Sequence, residues 1–153
     1  MDAELIYLSG NEKSLKNRTR VRIHLGTAEI MGRIVLHDDD EIIPGSTVNV
    51  QLLFEEPACA WPNDHDVIRS YSPVATIGGG RIFNGRAAKK KRFRESNKQI
   101  FRIYHEGSVE EQILLHLMEA GPDGLTGDEL AVQMGLFGKK LKKVLAGPVS
   151  ARK

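Results

Sequence analysis

The sequence predicts a mainly β domain followed by a small α-helical segment. Apolar residues alternate one by one in short runs as far as about residue 84, broken by frequent turn residues, which marks a barrel or sandwich. Beyond residue 90 the apolar spacing changes to three and four, and two Ser/Thr-x-x-Glu sequences introduce it. The 153 residues allow one domain of ordinary size, or a small domain with an appendage.

Glu4 to Leu8 opens the β region. In Arg20-Val21-Arg22-Ile23-His24-Leu25 the apolar side chains take one face, so Arg20, Arg22 and His24 point outward. Ala28 to His37 reads as a strand whose Gly32 implies a bulge or a close backbone approach. Asp38-Asp39-Asp40 and Pro44-Gly45 then turn the chain into Thr47 to Phe54, with Val48, Val50, Leu52 and Phe54 on one face. Two short strands, Ala58 to Trp61 and Asp66 to Ser70, flank Pro62-Asn63-Asp64. A last run follows Pro73 through Val74, Thr76 and Ile77 into Gly78-Gly79-Gly80, for six or seven strands in all.

In the helical part, the spacing of Ile100, Ile103 and Tyr104 predicts a connecting helix between Glu95 and Glu106. Ser108 with Glu111 is a capping box opening a second helix, with Ile113, Leu114, Leu117 and Met118 on one face and Gly121-Pro122 as its stop. Thr126 with Glu129 opens a third, with Leu130 and Met134 inward and Gly135 as its stop. Leu136, Leu141, Val144 and Leu145 continue at helical spacing. Short helices joined by a Gly turn outline a helix-turn-helix. The strands of a wing would lie past Lys153, so this end reads as a truncated winged helix. The expected divisions are a barrel over 1–84, a basic linker and connecting helix over 85–107, and a partial winged helix over 108–153.

The net charge of +2 conceals a division: residues 1–80 carry 7 Lys+Arg against 12 Asp+Glu, and residues 81–153 carry 15 against 8. That asymmetry points to a polyanion-facing second half. Its densest part, residues 81–94, holds seven cations (Arg81, Arg86, Lys89, Lys90, Lys91, Arg92, Arg94) and no acid. Such a run neutralises phosphates and releases counterions, and Phe83 and Phe93 within it offer rings for base stacking; the plainer reading is a solvated linker. Lys139, Lys140, Lys142 and Lys143 crowd the last helix, where a recognition helix would carry charge; the plainer readings are a packing bundle with a solvated lysine face and a structural spacer, and hairpin recognition is not expected of this incomplete module.

Chemistry is otherwise sparse. Neither GxxxxGK[ST] nor GxGxxG occurs, so the three glycines read as a backbone turn or bulge. The acidic run 37–41 lacks the alternating ligands of a calcium loop, and Asp64-His65-Asp66 sends its side chains to alternating faces. The single Cys59 excludes a disulfide framework, suits a reducing cytoplasm, and reads as a small core residue rather than a nucleophile. No catalytic constellation is present, and no apolar run approaches the roughly 20 residues that span a bilayer.

Three segments, TRVRIHLGTAEIMGRIVL (19–36), IIPGSTVNVQLLFEEP (42–57) and VIRSYSPVATIGGGRIFN (67–84), closely resemble the third domain of bacterial selenocysteine-specific translation elongation factors. KKKRFRES and the capped helices resemble that family's passage into its C-terminal winged-helix arm. The resemblance covers essentially the whole chain. It implies a six-stranded antiparallel translation-factor β-barrel, followed by the first part of the arm. The family delivers selenocysteyl-tRNA to the ribosome at recoded UGA codons. The resemblance therefore implies three kinds of partner: selenocysteine tRNA and the ribosome, the messenger insertion hairpin (through the arm), and the GTPase and second barrel domains that precede this part. GTP and magnesium belong to the intact protein; for this chain no cofactor, no metal and no enzymatic activity is expected, in a cytoplasmic setting without membrane contact. By similarity to Tu-type third domains, the tRNA backbone would meet Lys16, Arg18, residues 26–33 including Arg33, and residues 69–76 from Arg69, beside the glycines 78–80. Arg81, Arg86, Lys89, Lys90, Lys91 and Arg92 complete the candidate RNA contacts. Asn63-Asp64-His65-Asp66 stands where the family usually has GDRF. An interdomain scaffold with no direct RNA contact is the competing expectation.

Overall fold

A computed structural model describes residues 1–150, so the last three positions of the expected 108–153 segment lie outside the described residues. The chain forms two compact units, residues 1–97 and 98–153.

The first unit contains strands β1 (Asp2–Tyr7), β2 (Leu15–Lys16), β3 (Arg20–Leu25), β4 (Ala28–Leu36), β5 (Glu41–Ile42), β6 (Thr47–Phe54), β7 (His65–Ser70) and β8 (Thr76–Asn84). Six of them close an antiparallel barrel in the order β1-β6-β4-β3-β7-β8, with β8 returning to β1. Period-two alternation sends Ala3, Leu5, Val21, Ile23, Ile34, Val50, Leu52, Ile68 and Ile82 inward, each no more than 1% exposed. The two-residue strands β2 and β5 pair Leu15 with Ile42 beside the barrel. A pair this short leaves no periodic signature in sequence.

Strand β8 does not end at the triple glycine but runs through it to Asn84. It is wedged between β1 and β7, and a Cβ at Gly80 would overlap the Glu4 carbonyl oxygen while one at Gly79 would overlap that of Asp66. These glycines let three backbones approach. The expected strand over 58–61 is absent. Its backbone is used in a turn instead, where Trp61 N donates to the Asp64 carboxylate at 2.8 Å and Asn63 adopts a φ of 70°. A left-handed residue at 63 suits Asn as it suits the glycine expected there. Cys59 in this connection is exposed, not a core residue.

The second unit holds most of α1 (Glu95–Glu106), then α2 (Val109–Ala120), a short 3₁₀ turn (Gly121–Asp123), α3 (Gly127–Met134) and α4 (Lys139–Ser150). Both capping boxes form as the sequence predicts: the Ser108 and Thr126 hydroxyls accept from the Glu111 and Glu129 amides, and both glutamates return the bond. Gly135 closes α3 in the left-handed conformation, its N–H reaching Ala131 O and Val132 O. The buried side of α2 is Ile113, Leu115 and His116, with the Tyr104 and His116 rings 6.2 Å apart. This corrects the expected face: Leu114 is 58% and Met118 79% exposed. The periodicity identified the helix but not which of its two apolar sides turns inward.

Candidate nucleic-acid interface

The outward side of β3 begins the site. Register places Arg20 opposite Arg33 of β4, and Arg22 between Met31 of β4 and Arg69 of β7. Arg18 stands one turn earlier with φ 65°, and its carbonyl accepts from Arg33 Nη1 at 3.0 Å. The β7–β8 register slips at Ile68/Arg69, and such a bulge re-aims the side chain beside it. Tyr71, half exposed just past β7, lies under two guanidiniums, with Arg20 Cζ 5.1 Å and Arg22 Cζ 5.5 Å from its ring centroid.

Two carboxylates fix this array without cancelling it. Glu55 grips Arg20 through a fork of 2.7 and 2.6 Å, and Glu29 accepts from Arg22 at 2.7 Å. His24 Nε2 stands 3.2 Å from the other Glu29 oxygen. Hydrogen bonds from Arg22 and Arg20 hold the Glu29 and Glu55 carboxyls below their usual range, so both are anionic at neutral pH. Arg18 and Arg69 make no side-chain ion pair among the described residues, and the Arg69 Nε is buried without a partner. Five guanidiniums thus share one barrel face with two carboxylates and an exposed phenol ring. Their planar donor forks suit phosphate oxygens.

The candidates of the basic run have different surroundings. Asn84, Asp2, Gln51 and Val35 lie in register across β8, β1, β6 and β4 on the outside of the barrel, yet all four are buried. Residues 85–97 belong to the same compact unit and supply the covering strap. Lys90 Nζ meets Asp2 Oδ2 at 2.7 Å with side chains 8% and 0% exposed, Lys90 N donates to Gln51 Oε1, and Gln51 Nε2 donates to Asp2 Oδ1 and Ala88 O. Arg92 donates to the carbonyls of Leu36 and Asp39 and to the Asp40 carboxylate. Phe93 N donates to His37 O, and Asn97 Nδ2 to Lys91 O. Lys90 and Arg92 therefore spend their charge on the barrel itself, whereas Arg86, Lys89 and Lys91 stay exposed.

Arg81 pairs with Glu4 at 3.5 Å and covers Phe83. Phe83 is buried and offers no stacking face; Phe93 is exposed, under the Arg92 guanidinium. Lys16 is exposed opposite Glu41 on the small sheet. The glycines 78–80 are engaged by neighbouring strands rather than offered to a ligand. Arg20 and Arg22 join the site without having been candidates, their outward alternation being the available signal, and Tyr71 falls within the expected 69–76 range. No His/Cys/Asp/Glu group suited to a metal occurs among the described residues. Asp66 is buried and its carboxyl is pushed up to about 6 by desolvation, but no nucleophile accompanies it.

Comparison with known proteins shows the family. The model of the selenocysteine-specific elongation factor beta-barrel domain family matches residues 2–89. The selenocysteine-specific elongation factor of Desulfomicrobium baculatum is 34% identical over 144 residues, which are 94% of this chain and 23% of that relative. The chain thus spans less than a quarter of the relative's length.

Proposed function

We propose a function from one premise: this chain belongs to the selenocysteine-specific elongation factor family, as its β-barrel domain with the helices that follow. In our reading the barrel grips the backbone of selenocysteine tRNA through Arg18, Arg20, Arg22, Arg33 and Arg69. The observation that carries this is the arginine array on one face, ordered in advance by Glu29, Glu55 and Tyr71. Guanidiniums already held in place lose little freedom when they meet phosphates, and they recognise backbone shape rather than base identity. Exposed Lys89 and Lys91 add diffuse attraction from the strap. Delivery to the ribosome at recoded UGA codons, GTP with magnesium, and recognition of the messenger hairpin belong to the longer protein, in the cytoplasm. No helix among the described residues is long and apolar enough to cross a membrane.

A salt-titrated binding assay with selenocysteine tRNA tests the grip. Arg22→Gln with Arg69→Gln should lower the slope of log affinity against log salt by roughly 1 per lost phosphate contact. An unchanged slope and affinity would overturn the reading and favour the scaffold. That second reading has its own observation: Ile6, Leu8 and Ile43 are 47%, 44% and 63% exposed, an apolar surface suited to packing against another domain.

A further inference from the structure

The helical unit carries a second cationic surface that the tRNA grip does not use. From Leu130 to Lys153 the sequence has six Lys/Arg and no acid. Four of these, Lys139, Lys140, Lys142 and Lys143, occupy the first five positions of α4, and all are exposed. None has a side-chain ion pair or hydrogen bond among the described residues. Leu141, Val144 and Leu145, on the other side of the helix, are half-buried. The cations are therefore sorted to the solvent side rather than scattered.

This arrangement opposes the helix's own stability. Lys139/Lys142 and Lys140/Lys143 are like charges three apart, and Lys139/Lys143 four apart, at a helix start whose dipole repels cations. An isolated fold gains nothing from these contacts, while a polyanion relieves all of them together. α4 is also the second helix of the α3–Gly135–α4 helix-turn-helix, the element that such motifs present to nucleic acid.

We infer that α4 contacts the phosphate backbone of double-helical RNA without reading its sequence. The side chains argue for backbone alone: ammonium groups are point charges, and residues 139–147 contain no Arg, Asn or Gln to fork onto a base edge. The deep, narrow major groove of an A-form duplex admits no such readout. RNA rather than DNA rests on membership in a translation-factor family. The surface is distinct from the arginine face, so the chain holds RNA at two places.

The test uses the full chain carrying Arg22→Gln and Arg69→Gln, which weakens the arginine face, and compares α4 variants within that one background so that what remains of the face is common to all. Binding is titrated against salt with two fully paired RNA hairpins of unrelated sequence and with a DNA duplex. Converting Lys139, Lys140, Lys142 and Lys143 to Gln should weaken both RNA complexes equally, by at least about tenfold, and reduce the salt slope by about 3. The four-fold Lys→Arg variant should retain binding. Circular dichroism should show that the Gln variant keeps its helices, because the substitutions remove repulsion. Unchanged RNA affinity in the Gln variant would overturn the inference. So would a loss confined to one hairpin sequence, or DNA binding as tight as RNA binding.

Discussion

Replacing Lys90 by Met tests whether the strap is structural. Asp2 is wholly buried, and its carboxylate is met by the Lys90 ammonium at 2.7 Å and by the Gln51 amide at 2.9 Å. Methionine fills a similar volume but withdraws the Lys90 charge, leaving the buried anion with the Gln51 hydrogen bond and the neighbouring Met1 ammonium. Removing one partner of a buried pair costs about 3–5 kcal/mol, a large share of the roughly 5–15 kcal/mol that stabilises a domain. Urea unfolding at pH 7, followed by far-ultraviolet circular dichroism, should show a midpoint lower by on the order of 2 M. Adding Asp2→Asn to Lys90→Met should recover most of the loss, since a neutral pair replaces the stranded charge. Lys89→Met and Lys91→Met, at exposed positions, should stay within about 0.5 kcal/mol of the parent. A Lys90→Met protein as stable as the parent, or a double variant no better than the single, would refute the reasoning.

Three further predictions concern the fold. Burial raises the Asp66 carboxyl from 3.8 to about 6, so the native state favours the protonated form; stability is full below about pH 4 and declines as pH rises to about 6. Asp66→Asn should therefore gain up to about 3 kcal/mol at pH 7 and almost nothing at pH 4, measured as the difference between urea curves. Gly80→Ala forces a Cβ into the Glu4 carbonyl and should cost at least about 3 kcal/mol, whereas Gly10→Ala, with open space around it, should leave the melting temperature unchanged. Ser108→Ala removes the α2 cap and should cost about 1 kcal/mol, visible as faster hydrogen exchange at the Glu111 amide.

The barrel was legible because its strands obey a period of two and its turns carry Gly, Pro, Asn and Asp at the required places. Both capping boxes were legible because a Ser or Thr three residues before a Glu leaves few alternatives. The site was legible only in part. Arg18, Arg33 and Arg69 come together on one face, but their grouping with Arg20, Arg22 and Tyr71 depends on the β3–β4 and β3–β7 registers, which a single strand does not specify. The basic run was the most conspicuous feature of the sequence, yet its members have different surroundings. Composition cannot distinguish a lysine facing solvent from one facing a carboxylate 88 positions earlier, and Lys90 between Lys89 and Lys91 is such a case. The acidic run at 38–40, read as a turn, is likewise an anchor for Arg92.

Closing the barrel through its two ends of sequence has a consequence for how the domain is born. β3 and β4 are joined by a two-residue turn at Gly26-Thr27 and can pair as soon as both exist. β1 is synthesised before them, yet its strand partners are β6 and β8, and the Lys90 ammonium that meets its Asp2 carboxylate lies 88 residues on. The first strand of the domain thus completes its contacts last. Until the strap is made, β1 can pair with β6 but its buried acid lacks the Lys90 ammonium, and the long loops that bring these partners together are the slow, entropically costly ones. The first strand of the barrel therefore waits for almost the last residues of the domain before its contacts are complete.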